Sequence, residues 1–367
     1  MRDLRGLHPA PQATSLDGAP TASLSVALCT YQGARFLPQQ LDSIAAQTRI
    51  PDELVVCDDG STDATLRLIA EFAAVAPFPV RVHEHVGAPL GPARNFERAL
   101  RLASGDVIAL CDQDDVWPAQ RLERTMQLFD EHRDAIAVFS DADLIDENGQ
   151  TLGETLWQAL GITVALQRRF SHGHAAQRVA VLCIGNVVTG ATLAVRRTTL
   201  DWALPVPEGW LHDYWLAIAL AAVGEIVMWP EPLCRYRVHP AQHTGIGTRR
   251  PPRWYLAQRR TQVTRRLRKN ERRELADQAH GLALILDRLA TLERAAPDPE
   301  VLTFLRSRVE HFTTRASFGD GHRHVGLVAR ELVRGRYHRH SSGLSSVAKD
   351  LLLRDVARTE SPLTSSA

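Results

Sequence analysis

The chain has 367 residues, a formal net charge of +1, 44% apolar residues and 23% charged residues. That length is too great for one small core and fits a large domain with an appendage, or two domains. The even charge balance removes any overall electrostatic case for a nucleic-acid partner, and the composition is that of an ordinary globular protein. Cys29, Cys57, Cys111, Cys183 and Cys234 are widely spaced and form no CxxC pair. This is the pattern of reduced core residues in a cytosolic protein. No N-terminal apolar run has the length of a signal peptide. The most apolar helix candidate, around Tyr214 to Val223, is too short to span a bilayer.

Residues 1–22 are rich in Pro, Ala, Ser and Thr without a period, and read as a disordered leader. A strict alternation follows. Leu24–Cys29 is an apolar run, hence a buried strand, and Pro38–Gln47 carries Leu41, Ile44 and Ala45 at helical spacing. Leu54–Cys57 is a second strand, and Asp63–Val75 a second helix with Asp63 placed to cap it. Val80–His83 is a third strand, and Gly91-Pro92 opens a third helix over Pro92–Ala103. Val107–Cys111, a helix over Ala119–Phe129 and a strand over Ile136–Ser140 complete the first run. The alternation resumes with a strand at Thr192–Val195, a helix from about Asp213 to Ala222, and strands near Ile226–Met228 and Leu233–Tyr236. Strand–helix units of this length predict an α/β fold: a doubly wound, mostly parallel sheet with helices on both faces. Ligands of such sheets bind beyond the carboxyl ends of the strands.

Past Arg249-Arg250-Pro251-Pro252 the composition turns helical, which places a boundary near 248. The expected organisation is therefore a leader at 1–22, a main domain at 23–248, a helical C-terminal region at 249–340 and a flexible Ser-rich tail at 341–367.

The unusual residues sit at the strand ends. Thr30-Tyr31-Gln32 follows the first strand, Asp58-Asp59-Gly60-Ser61-Thr62-Asp63 the second, and Asp112-Gln113-Asp114-Asp115-Val116-Trp117 the fourth. Turn formation and helix capping account for a residue such as Asp63. They do not account for three carboxylates within four residues, whose repulsion a hard divalent cation, Mg²⁺ or Mn²⁺, would relieve. Such a cation takes its remaining ligands from phosphate oxygens and water. The sequence holds neither a GxxxxGK[ST] loop nor a GxGxxG after the first strand, so P-loop and NAD-type chemistry are disfavoured.

In this order and at these spacings, Val26-Ala27-Leu28-Cys29-Thr30-Tyr31-Gln32-Gly33, the Asp58–Asp63 segment and Asp112–Trp117 resemble family 2 of the glycosyltransferases, with the GT-A fold, over roughly residues 23–245. Together with GPARNF, HDYW and YRVH, they look like the bacterial subgroup of rhamnosyl- and related transferases of cell-surface polysaccharides. The resemblance implies that Thr30 and Tyr31 line a nucleotide pocket, that Asp58 bonds the base with Asp59 close by, and that Arg94 and Asn95 lie beside the nucleotide. It implies Asp112 on the ribose, Asp114 on the metal with help from Asp115, and His239 as a further metal or diphosphate ligand. Arg237 would pair with the diphosphate, and Asp213 falls where such enzymes carry their catalytic base. No QxxRW follows Asp213, which argues for transfer of one sugar per encounter rather than processive synthesis.

The implied chemistry is metal-dependent, inverting transfer of a sugar from a nucleoside diphosphate to a hydroxyl of a cell-surface glycan or lipid-linked acceptor, with dTDP-rhamnose the first donor by resemblance. One base opposite the leaving group means a single displacement. For Asp213 the plainer role is capping of the helix it opens, and for His212 packing. Gly185–Ala191 reads either as part of an acceptor wall or as a tight turn. Residues 249–273 hold eleven Arg or Lys against Glu271 alone, beside Trp254, Tyr255 and Leu256. That suits an anionic membrane surface, and equally a solvated helix face; it carries no nucleic-acid motif. The expected location is the cytoplasm, at the inner face of the membrane. Two alternatives remain: a sugar-phosphate nucleotidyltransferase, which would want a richer Gly/Arg loop than Tyr31–Arg35, and a non-catalytic nucleotide-sugar binder.

Overall fold

The structure is a computed structural model and describes residues 22–240, 242, 271–292, 298–318 and 323–352. The leader, the boundary near 248, most of the basic segment and the tail from 353 lie outside these residues. The first half follows the expected alternation: β1 (Leu24–Thr30), α1 (Leu37–Ala45), β2 (Glu53–Asp58), α2 (Thr65–Ala73), β3 (Val80–Glu84), α3 (Pro92–Leu102), β4 (Val107–Asp112), α4 (Arg121–Glu131) and β5 (Ala135–Ile145). Every residue of β1 and β2 is buried. Since successive side chains of a strand point to opposite faces, both faces of the sheet are covered, as parallel sheets require.

The sheet order is β3-β2-β1-β4-β7-β5-β6, with β8 beside β5. β1, β2, β3 and β4 run parallel, with Thr30 level with Asp58 and Cys29 level with Asp112. The three strand-end motifs therefore share one rim. β7 (Leu193–Arg196) is antiparallel to both β4 and β5, so the sheet is mixed but mostly parallel.

Between β5 and β7 the chain forms structure that hydrophobic period did not reveal. β5 runs on to Ile145 and turns at Asp146–Gly149 into β6 (Thr151–Thr155). Asp146 Oδ1 accepts from the amides of Asn148 and Gln150, and Gly149 supplies the positive φ of +80° that the turn needs. Helices α5 (Leu156–Leu160), α6 (Val164–Ser171) and α7 (Ala175–Ile184) follow. α5 opens on a capping box formed by Thr155 and Gln158. After α8 (Leu200–Ala203) and α9 (His212–Ala221) comes β8 (Glu225–Arg237). The strands expected at Ile226–Met228 and Leu233–Tyr236 are one strand. Its register on β5 slips between Ser140 and Asp141, opposite Trp229 and Pro232, so the prolines mark a bulge rather than an end.

The C-terminal helices are α10 (Glu271–Ala290), α11 (Pro299–Ala316), α12 (Arg323–Val333), α13 (Arg336–His340) and α14 (Leu344–Leu352). The last corrects the expectation of a loose tail from 341. Leu282, Ile285 and Leu289 of α10 and Val301 and Leu305 of α11 join the apolar cluster of the sheet. Phe318, Val328, Tyr337 and Val347 close a smaller cluster of their own. All five cysteines are free and buried. Among the described residues no helix is long and apolar enough to cross a membrane.

Candidate active site

The turn after β4 is pinned to β8. Val116 and Arg235 exchange both backbone hydrogen bonds, at 3.1 and 2.9 Å. This brings Asp114 and Asp115 against Arg237 and His239, across more than a hundred residues of chain. His239 Nε2 lies 2.8 Å from Asp114 Oδ2, with the imidazole ring 4.7 Å from the Phe36 ring and Nδ1 without a partner among the described residues. Burial, with Asp114 and Asp213 close by, pushes the Asp112 carboxyl up to about 8. Asp114 and Asp213 thus both bear on Asp112, a crowding of carboxylates that a cation would relieve.

A divalent cation fits here with a limited protein share. Asp114 and His239 offer two ligand atoms that already face each other, and no group of three or more His, Cys, Asp or Glu among the described residues is arranged to enclose a metal. Such a site suits a hard cation completed by phosphate oxygens and water.

Asp115 does something else. It is fully buried; Oδ1 accepts from the Arg237 amide at 2.9 Å and Oδ2 sits 3.7 Å from Cys234 Sγ. Burial, with Asp114 and Asp112, raises its pKa well above the usual carboxylate range. It holds β8 against the turn and does not share a ligand position with Asp114. Arg237 is likewise corrected. Its guanidinium is buried, with Nε on the Asp114 carbonyl at 2.7 Å, one terminal nitrogen on the carbonyls of Asp146 and Glu147 at 3.1 and 3.2 Å, and the other on Gln39 Oε1 at 2.6 Å. It ties the β5–β6 turn to the site through these bonds, where the resemblance implied a diphosphate contact.

The residues that the resemblance assigned to a nucleotide pocket divide in the same way. Asp58 is fully buried and its two oxygens accept from Thr30 Oγ1, Ser61 Oγ and the amides of Gly60 and Ser61. That saturates a carboxylate, so Asp58 orders its own turn instead of reading a base. Asp59 is buried too and accepts from the amides of Leu90 and Gly91 at 2.9 and 2.8 Å, anchoring the loop that opens α3. Asn95 is buried with its amide on the Cys57 carbonyl and its oxygen on Arg98; it braces β2. Thr30 is buried under Asp58. Tyr31, 45% exposed, and the half-exposed Arg94 remain on the rim.

Gln113 was not singled out from the sequence, yet it clamps Tyr31 from across the cleft, accepting from the Tyr31 amide at 2.9 Å and donating to its carbonyl at 3.0 Å. A Cβ on Gly33 would lie 2.1 Å from Gln113 Oε1, so the glycine makes room for the clamp. Its place between two carboxylates of the DQDD motif was the available signal.

Asp213 lies in the first turn of α9. Oδ1 accepts from Asn186 Nδ2 at 3.1 Å and from the Tyr214 amide at 2.6 Å, and Oδ2 from the Gly190 amide at 3.0 Å. His212 packs on Phe96, ring centroids 4.0 Å apart, and burial lowers its pKa, keeping it neutral. The Gly185–Ala191 segment therefore abuts Asp213.

Residues 25–184 match glycosyl transferase family 2. Over that region the chain is similar to this family. The family 2 region holds Thr30, Asp58, Asp59, Asp112 and Asp114; Asp213 and His239 lie beyond it. An uncharacterized glycosyltransferase of Nostoc sp. is 29% identical over 226 residues, 60% of this chain and 66% of that protein. A dTDP-rhamnosyl transferase of Shigella flexneri is 28% identical over 124 residues, 33% of this chain and 40% of that protein. The chain thus spans less than two thirds of the length of these relatives, 66% of the first and 40% of the second. Among solved structures, S. aureus TarS in complex with UDP matches with a TM-score of 0.49 and 17% identity, over 81% of this chain and 72% of that one.

Proposed function

We propose that the protein is a non-processive, inverting glycosyltransferase that takes a sugar from a nucleoside diphosphate and places it on an acceptor hydroxyl. The observation that carries this reading is the meeting of Asp112, Asp114 with His239, and Asp213 on one cleft beyond the carboxyl ends of parallel strands, within and just past a family 2 region. Asp213 serves as base. The acceptor oxygen bonds to the anomeric carbon, the bond from that carbon to the phosphate oxygen breaks, and the hydroxyl proton passes to Asp213 as the nucleoside diphosphate leaves. One base on one face gives a single displacement, hence inversion.

Asp114 and His239 would hold Mg²⁺ or Mn²⁺, which when bound neutralises charge on the diphosphate. Tyr31, held by Gln113, and Arg94 form the exposed part of the nucleotide side, and Asp112 the part nearest the ribose. A rhamnose donor on dTDP is the first choice, supported by the Shigella relative. The acceptor is a cell-surface glycan or lipid-linked intermediate, reached at the inner face of the membrane.

The test is thermal stabilisation by dTDP, UDP, GDP and CDP, each with and without Mn²⁺. A nucleotide at a hundredfold excess over its Kd raises stability by about 2.7 kcal/mol. Stabilisation by one nucleotide only in the presence of metal supports the reading. No shift with any pair sinks it.

A further inference from the structure

The loop that touches Asp213 is itself held by the C-terminal helices. α7 ends at Ile184, and the last carbonyls of a helix have no partner within it. One of them, the Cys183 carbonyl, accepts from the Arg308 guanidinium of α11, which also donates to the His340 carbonyl at 2.9 Å and lies 4.4 Å over the Phe312 ring. Arg308 is only 5% exposed. A cation on the last carbonyls of a helix is a C-terminal cap, favoured by the helix dipole, and here another helix supplies it.

Three residues past Cys183 stands Asn186, both ends of its amide in use. Its oxygen accepts from the Val188 amide at 3.2 Å and its nitrogen donates to Asp213. α10 grips the other approach to Asp213. Trp210 Nε1 donates to the Asp277 carbonyl at 3.0 Å, and its indole lies so close to Gly281 that a Cβ there would be 2.4 Å from it. Arg288 donates to the carbonyls of Trp202, Ala203 and Pro205.

We propose that the C-terminal helices are part of the transfer site, and that Asn186 and Arg308 are positioning residues that fix the Asp213 carboxylate. Asn186 acts by its direct bond and Arg308 by capping α7 so that the 185–190 loop keeps one conformation. This rests on Asp213 being the base. Carboxylate misplacement of about 1 Å costs roughly a hundredfold in rate, without touching the nucleotide side of the cleft.

The full chain and its Asn186→Ala, Arg308→Met, Arg308→Lys and Asp213→Asn variants are compared on a panel of UDP-, dTDP- and GDP-sugars, reading nucleoside diphosphate released to water. Hydrogen exchange of the peptide holding Gly190 is followed in parallel. Asn186→Ala and Arg308→Met should each lower kcat about 10- to 100-fold with donor KM within about twofold, and speed exchange at Gly190. Arg308→Lys, which keeps a cation at the cap, should recover most of both. Should Arg308→Met fail to fold, Arg308→Lys and Asn186→Ala decide the matter, with faster Gly190 exchange and lowered kcat expected in Asn186→Ala. Unchanged exchange and wild-type kcat in Asn186→Ala and Arg308→Met, beside an inactive Asp213→Asn, overturn the proposal alone. Wild-type turnover by Asp213→Asn overturns the base reading and the proposal with it.

Discussion

Asp114 and His239 are 125 residues apart in the chain, yet Oδ2 of one lies 2.8 Å from Nε2 of the other. The antiparallel bridge between Val116 and Arg235 brings them together, and the buried Asp115 carboxylate on the Arg237 amide locks the bridge. A pair so held is expected to bind metal weakly alone and well with a diphosphate. Outer-shell partners of a metal are worth about 10- to 100-fold in affinity, so a direct ligand is worth at least that. Asp114→Asn and His239→Ala should each weaken nucleoside diphosphate binding in Mn²⁺ by tenfold or more, measured by calorimetry, and leave metal-free binding little changed.

Arg237 should behave as a stabilising residue. Its guanidinium serves three carbonyls and a side-chain amide away from solvent. Arg237→Met leaves those acceptors unpaired and should cost about 3 kcal/mol or more in a urea titration. Diphosphate affinity of the folded fraction should stay near wild type; a large selective loss of affinity would restore Arg237 to the diphosphate.

Gly190→Ala tests the packing behind Asp213. A Cβ there would lie 2.7 Å from His212 Nε2 and 3.6 Å from Asp213 Cβ. Overpacking of this kind costs about 1–3 kcal/mol, and the displaced His212 and amide should lower turnover with little effect on nucleotide binding. A variant as active and as stable as wild type would contradict the geometry.

Glu53 gives a pH signature far from the site. Burial alone would raise its pKa, but hydrogen bonds from Ser25, the Ser104 amide, Arg81 and Ser104 Oγ outweigh it and hold the carboxyl at about 2, against an ordinary 4.5. A depressed carboxyl stabilises the fold above its unfolded pKa. The contribution, about 3 kcal/mol by linkage, is lost as the pH falls from near 4.5 through 2. Glu53→Gln should flatten acid unfolding in that window, read from urea midpoints at successive pH values.

The repeated units of the sheet were legible because buried parallel strands are unbroken apolar runs and their helices keep a 3.6-residue period. β6 and helices α5 to α7 were not, since β6 is exposed and the short helices owe their place to caps and packing. The two strands expected around Pro230 and Pro232 are one, because the prolines sit at a bulge within β8. The motif carboxylates were visible as a group, but not which of them turn inward. Asp58, Asp59 and Asp115 look from the sequence just like Asp112 and Asp114; only the donors around them, such as the Gly60, Leu90 and Arg237 amides, separate the two kinds. Those donors depend on loop paths that no periodicity encodes.

The most direct test of the account is the turnover of Asp213→Asn on the nucleotide sugar that wild type hydrolyses or transfers, with nucleoside diphosphate affinity measured on the same preparation. Loss of a general base costs about 10²- to 10⁴-fold. The account predicts a fall in kcat of that size with affinity for the nucleoside diphosphate in Mn²⁺ unchanged. Turnover within a few-fold of wild type would contradict it, and would move the proton acceptor elsewhere on the rim.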